Sequence, residues 1–201
     1  MNAPSIEAIV VDLGGVAARF RPERRLHSLA SATGIDPHVV HERLFSSGFD
    51  RRCELGELTA EEAMSDVLSA LNAIAVADLV EAWSLAFEPN AAIVDRVREA
   101  SVRRVLFTNN GPLLDACLAG PLRALADAFD DVICSWQLRA AKPDPLAFER
   151  AAARLGMPAR SLLLLDDSPA NVLAAREVGW NAALVEEYGD VERALARFVL
   201  R

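Results

Sequence analysis

Four polar clusters sit where the chain could do chemistry. The apolar run Ile6–Val11 ends in Asp12, with Gly14 and Gly15 just behind it. Arg104-Val105-Leu106-Phe107 ends in Thr108-Asn109-Asn110-Gly111, and Ser161–Leu165 ends in Asp166-Asp167-Ser168-Pro169. Between them lies Ala141-Lys142-Pro143-Asp144-Pro145. A carboxylate can attack phosphorus and form an aspartyl-phosphate. Further carboxylates suit a hard divalent cation, which takes oxygen ligands and neutralises phosphoryl charge. A hydroxyl, loop N–H groups and an ammonium suit the equatorial phosphoryl oxygens, over which transition-state charge spreads. Each cluster alone has a plainer explanation: a turn residue at Asp12, turn chemistry at Thr108–Gly111, a solvated Lys142, a helix start at Asp166–Pro169. Their order and shared position after apolar runs favour one site.

Such runs are too short for helices and read as buried strands. Strands alternate with helical segments from Asn90 onward, which implies right-handed crossovers and an α/β fold with a parallel sheet covered on both faces. In that architecture the carboxyl ends of the strands share one edge, where ligands bind. The expected strands are the run ending at Asp12, Arg104–Phe107, Val132–Cys134, Ser161–Leu165 and Asn181–Val185. Residues from Pro22 to Glu88 instead show only helical spacing, with no convincing strand. Helices are expected at Pro22–Thr33, from Asp36-Pro37 to about Ser47, from the capping-box-like Thr59-Ala60-Glu61-Glu62, and from Asp78 to about Phe87.

The 201 residues can form one core domain carrying an insertion. Hydrophobic residues at 52% and charged residues at 25% are ordinary for a globular chain. A net charge of -8 argues against sequence-independent binding to nucleic acid or anionic membranes. Cys53, Cys117 and Cys134 form no metal-ligand spacing or disulfide framework. No leader pattern or spanning apolar stretch is visible, so a cytoplasmic location is expected, as a monomer or homodimer.

Taken together, Val11-Asp12-Leu13-Gly14-Gly15-Val16, Leu106-Phe107-Thr108-Asn109, Lys142-Pro143-Asp144-Pro145 and Leu165-Asp166-Asp167-Ser168-Pro169-Ala170-Asn171 resemble the four motifs of the haloacid dehalogenase superfamily. The first motif and the segment Glu54–Thr59 are most similar to glucose-1-phosphatase-like sugar phosphatases and the phosphatase domain of soluble epoxide hydrolases. The resemblance implies a Rossmann-like doubly wound core at 1–16 and 89–201 and an inserted all-helical cap at 17–88. It implies a magnesium-dependent phosphomonoesterase acting on a small phosphorylated metabolite, possibly a sugar phosphate. By the same resemblance Asp12 is the nucleophile and a metal ligand, joined by the Gly14 carbonyl and the Asp167 carboxylate. Asp166 and Asn171 support that shell, Thr108 and the Asn109 N–H bind phosphate, and Lys142 holds both phosphate and Asp12.

The sequence departs from the superfamily at Gly14, where most phosphatases carry a second Asp that protonates the leaving alkoxide. Losing a general acid typically forfeits about 10²–10⁴ in rate. Three readings stay open: another acid, from the cap or a bound water; a 2-haloacid dehalogenase, whose leaving halide needs no proton; or a phosphate-ester-binding protein with little turnover. Arg139 is a second departure, standing where related sequences often have glycine. His27, His38 and His41 fall in the helical region, with His41 a candidate substitute acid. Arg19 and Arg21 mark a hinge, Arg51-Arg52 with Glu54 and Glu57 a loop facing the site, and Trp83 the cap core. A phospho-acceptor receiver domain is disfavoured by the helical insertion. A dinucleotide fold is disfavoured because Gly14-Gly15 does not make G-x-G-x-x-G.

Overall fold

The computed structural model describes residues 5–72 and 74–199. Strand β1 (Ala8–Val11) is followed by a short β2 (Ala18–Phe20). Helices α1 (Pro22–Thr33), α2 (Pro37–His41, continued by a π-turn at Glu42–Ser46), α3 (Phe49–Glu54), α4 (Ala60–Ala70) and α5 (Val76–Ser84) come next. The chain then forms β3 (Phe87–Pro89), α6 (Ala91–Arg98), β4 (Arg103–Thr108), α7 (Leu113–Ala119), α8 (Arg123–Ala126) and β5 (Asp131–Cys134). It closes with α9 (Ser135–Leu138), α10 (Pro145–Leu155), β6 (Leu162–Asp166), α11 (Pro169–Glu177), β7 (Asn181–Leu184) and α12 (Tyr188–Phe198).

Five of these strands form a wholly parallel sheet in the order β5-β4-β1-β6-β7. Side chains alternate across a strand, so Ile9 and Val11 enter one core while Ala8 and Val10 enter the other. Phe107 and Leu164 join the second core, packed against Ala147 and Phe148 of α10 and Val172 of α11. Because both faces are covered, the strands read as nearly unbroken apolar runs, which made them visible in the sequence. The α/β class with a doubly wound parallel sheet is as expected.

The helices between β2 and β3 extend the first core: Leu29, Val40, Leu44, Val67, Leu79 and Trp83 belong to the same buried cluster as Ile9 and Leu13. Local signals hold in several places. Asp36 accepts the His38 N–H at 2.8 Å, and Thr59 and Glu62 form the full capping box. Two expectations fail here. β2 and β3 pair antiparallel, Arg19 opposite Glu88 and Phe20 opposite Phe87, where no strand was expected. Three residues are too few to show a period of two, and the partners are separated in sequence by the whole helical insertion. Arg51, Arg52 and Glu54 lie on α3, not on a loop. No helix among the described residues is long and apolar enough to cross a membrane.

Candidate functional site

Register brings the acidic strand ends together. Val11 stands opposite Leu165 on one side and Leu106 on the other, so Asp12 and Asp166 emerge side by side with Thr108 nearby. The Asp12 N–H continues the ladder by donating to the Leu165 carbonyl at 2.9 Å.

Lys142 fills the space between them. Its Nζ donates to Asp12 Oδ1 at 2.7 Å, Asp166 Oδ2 at 2.6 Å and the Phe107 carbonyl at 3.0 Å. An ammonium has three N–H bonds, so every donor is used. The lysine side chain is 1% exposed, and burying a charge at that depth is tolerable only because it is paired and fully hydrogen-bonded. Asn109 fixes the lysine from behind: its Oδ1 accepts the Lys142 N–H at 2.9 Å and its Nδ2 donates to the Lys142 carbonyl at 2.7 Å. The side chain of Asn109 is therefore a clamp on the lysine loop, a use that the sequence did not suggest.

Asp166 is saturated. Its Oδ1 accepts the Asn171 Nδ2–H and the Ser168 N–H, both at 2.9 Å, while its Oδ2 accepts from Lys142. Asp12 and Asp167 keep oxygens to spare, and carboxylate oxygens of all three aspartates lie within 4.8 Å of one another. Three carboxylates against one ammonium leave two negative charges uncompensated. Burial, together with the charges of Asp166 and Asp167, outweighs the pull of Lys142 and pushes Asp12 up from 3.8 to about 6. Burial opposes the charge on Lys142, yet Asp12 and Asp166 hold its ammonium above the ordinary range. Burial and Asp166 also raise Asp167. Carboxyls shifted upward beside an ion pair mark a site that lacks positive charge. All-oxygen donors with a double negative excess fit a hard divalent cation.

Gly15 is required for this arrangement. Its φ is +93°, and a Cβ there would lie 1.9 Å from Asp167 Oδ2. Gly14 differs: a Cβ would meet only Phe20, at 3.7 Å, an ordinary contact. The turn therefore has room for a Cβ at 14 and none at 15.

The cavity over this edge measures about 230 Å³. Asp12, Gly14, Thr108, Asn109, Lys142 and Asn171 line its floor. Asn110 donates from Nδ2 to Thr108 Oγ1 at 2.7 Å, which leaves the threonine hydroxyl free to donate into the cavity. The opposite wall comes from the ribbon and the helical insertion: Phe20, Phe87, Arg25, Asp50 and Glu54. The histidines are not among the lining residues. His27 bonds the Glu23 carbonyl, and His41 bonds Ser46 and lies against Phe45. Arg21 pairs with Glu88 at the ribbon, and Arg52 with Glu57.

A haloacid dehalogenase-like hydrolase family model matches residues 6–179. The chain belongs to that family. A phosphatase of Mycobacterium tuberculosis, MT3486, is 29% identical over 96% of this chain and 93% of its own. A structure described as a predicted HAD-like family hydrolase from Porphyromonas gingivalis superposes with a TM-score of 0.72 at 26% identity, covering 96% and 97% of the two chains. A HAD family enzyme from Bacteroides thetaiotaomicron, solved with magnesium and inorganic phosphate, shares the fold at a TM-score of 0.68 and 20% identity, over 90% and 94%.

Arg25 and Asp50 are charged wall residues that the sequence did not point to, and Arg25 is the more deeply buried. Its guanidinium lies 4.2 Å over the Trp83 ring and its Nε donates to the Trp83 carbonyl at 3.2 Å, so Trp83 carries an arginine within the core. Burial pushes it down to about 10. The available signal was spacing: Arg25 and Leu29 share the buried face of α1, four residues apart.

Gly15→Ala tests whether this hydrolase depends on the glycine. The added methyl group displaces Asp167, and an ångström-scale misplacement costs about 100-fold in turnover. Hydrolase activity should fall by that factor or more while Gly14→Ala remains within tenfold. Equal activities in the two variants would show that the acidic loop is not held by Gly15.

Proposed function

We propose that this hydrolase is a magnesium-dependent phosphomonoesterase for a small phosphorylated metabolite, a sugar phosphate among the candidates. The observation that carries the reading is the Asp12–Lys142–Asp166 triad, with Asp167 and the Thr108 hydroxyl at the same mouth. Such a set holds a nucleophile, an ammonium, and carboxylates for the cation whose charge a phosphoryl group needs. The phosphatase name of the Mycobacterium relative supports it.

Asp12, the Gly14 carbonyl and Asp167 would hold magnesium, which when bound supplies positive charge to the phosphoryl oxygens. The Thr108 hydroxyl and the Asn109 N–H orient the phosphoryl group. Lys142 keeps Asp12 in line for attack and adds its own charge at the phosphate. Asp12 attacks phosphorus and forms an aspartyl-phosphate, and water then releases phosphate and restores the carboxylate. Asp166 and Asn171 hold Lys142 and the acidic loop in place. The core comprises 1–16 and 89–201, and the cap at 17–88 closes over the cavity, excludes water and selects the substrate.

A panel of phosphorylated metabolites and 2-haloacids, assayed with magnesium and with chelator, tests the reading. Phosphate release that requires magnesium is expected. Release that survives chelation would sink the metal assignment, and halide release would replace the phosphatase by a dehalogenase. Tight ester binding without turnover would make the protein a phosphate-ester binder.

A further inference from the structure

We propose that Glu54, on the inserted helix α3, is the general acid that replaces the missing carboxylate at Gly14. The inference rests on the phosphatase reading and names its proton donor. The problem is chemical: an alkoxide leaving group needs a proton, and Gly14 has no side chain to give one.

The carboxyl groups lining the cavity are Asp12, Asp50 and Glu54. Asp12 is committed to attack, so the donor is Asp50 or Glu54, both on α3. Hydrogen bonds separate the two. The Glu54 carbonyl accepts from Ser135 Oγ at 2.7 Å, and the same Oγ accepts the Asn110 N–H at 3.1 Å. Asn110 in turn donates to Thr108, so the backbone at the end of α3 that bears Glu54 is tied through two residues to the hydroxyl at the phosphate end of the cavity, whereas Asp50 lies a turn away from that anchor. Asp50 lies one turn earlier on α3, facing Arg25. It also lines a second cavity with Phe20, Leu26, His41 and Phe45.

The charged groups acting on Glu54 are few. Arg51 pairs with its Oε2 at 2.9 Å, and Asp50 lies along the same helix. The π-turn packed on α3 contributes Glu42 and Arg43, and α9 contributes no charged residue. Arg25 and Lys142 stand elsewhere around the cavity. Burial raises the Glu54 carboxyl, Arg51 opposes it and Asp50 adds to the rise. A carboxyl moved upward in a cavity is suited to donate a proton near neutrality.

The step balances. As Asp12 attacks phosphorus, the bond to the ester oxygen breaks and its electron pair stays on that oxygen. The oxygen takes the Glu54 proton and leaves as an alcohol. Glu54, now a carboxylate, takes a proton from the water that attacks the aspartyl-phosphate, and both groups return to their starting state.

The test compares kcat/KM for the best alkyl phosphate from the panel with that for p-nitrophenyl phosphate, whose leaving group is a stable anion. This ratio reports the steps through leaving-group departure. Glu54→Gln should cut the alkyl ester by about 10²–10⁴ and the nitrophenyl ester by less than tenfold. Gly14→Asp added to that variant, at a position where a Cβ makes only ordinary contact with Phe20, should restore at least tenfold on the alkyl ester. Asp50→Asn should leave the ratio of the two substrates near wild type. Equal losses on both substrates in Glu54→Gln, or a selective alkyl loss in Asp50→Asn instead, would overturn the assignment. If Asp12→Asn retained activity, the phosphatase mechanism itself would fail, whatever Glu54 does.

Discussion

Asp12→Asn is expected to fold more stably than the wild type at neutral pH and to release no measurable phosphate. An amide oxygen does not attack phosphorus, and removing a nucleophile typically costs about 10⁴–10⁶ in kcat. The stability gain follows from the position of the carboxyl. A carboxyl whose folded pKa stands above its unfolded one contributes stability below the unfolded value. That contribution is lost as pH rises through the folded value. For Asp12 the window runs from 3.8 to about 6. Above it, the ionised carboxylate costs the metal-free fold something on the order of 3 kcal/mol. Asparagine keeps the shape and an acceptor for Lys142 and carries no charge to bury. Thermal melts in chelator should therefore coincide at pH 4 and diverge in favour of Asp12→Asn by pH 7.5. Turnover that persists would remove Asp12 from the chemistry. A lower melting temperature at pH 7.5 would show that the carboxylate is a net stabiliser.

The same conflict between fold and chemistry explains which parts of the site were legible. Asp12, Thr108 and Asp166 interrupt runs that the sheet needs to be apolar, and a polar residue at such a point has little packing use. Lys142 was legible through the Lys-Pro-Asp-Pro run that it opens. Asn109 was visible as a residue, but its clamp on the Lys142 backbone was not, because that contact depends on how the loop after α9 returns to the sheet. The cavity wall was harder still. Glu54 was expected to face the site and does line the cavity, but Arg25 and Asp50 were not, and neither β2 nor β3, which pair beside them across the insertion, is long enough to carry a pattern. The cap helices themselves were legible from spacing and caps, as Thr59 and Glu62 show. Their faces toward the site were not, since a charged residue on a helix gives no sign of what it will meet.

Lys142→Met is expected to be the most damaging single change to the fold. Methionine occupies much of the volume of the lysine stem, so the variant isolates the loss of charge from the loss of packing. Asp12 and Asp166 would then face each other without the ammonium that now lies 2.7 and 2.6 Å from them. Breaking a buried ion pair by removing one partner costs about 3–5 kcal/mol, a large fraction of a domain's total stability. The sign of the pH dependence is fixed by what remains. The wild-type ammonium is held above 10.5, so its contribution is fully present below that value and is lost only as pH rises through the folded pKa. In the variant Asp12, already raised to about 6, loses the ammonium that pulls it down and becomes neutral on mild acidification, which removes the repulsion. The deficit relative to wild type should therefore be large at pH 7.5 and shrink as pH falls toward 5. Urea melts at the two pH values in chelator measure it. A deficit equal at both would mean that repulsion between the two carboxylates is not what destabilises the variant. Magnesium supplies a second handle, because a divalent cation at the same carboxylates replaces part of the missing charge. It should recover stability in Lys142→Met at pH 7.5 and little at pH 5, without recovering turnover, since the lysine also holds Asp12 in place.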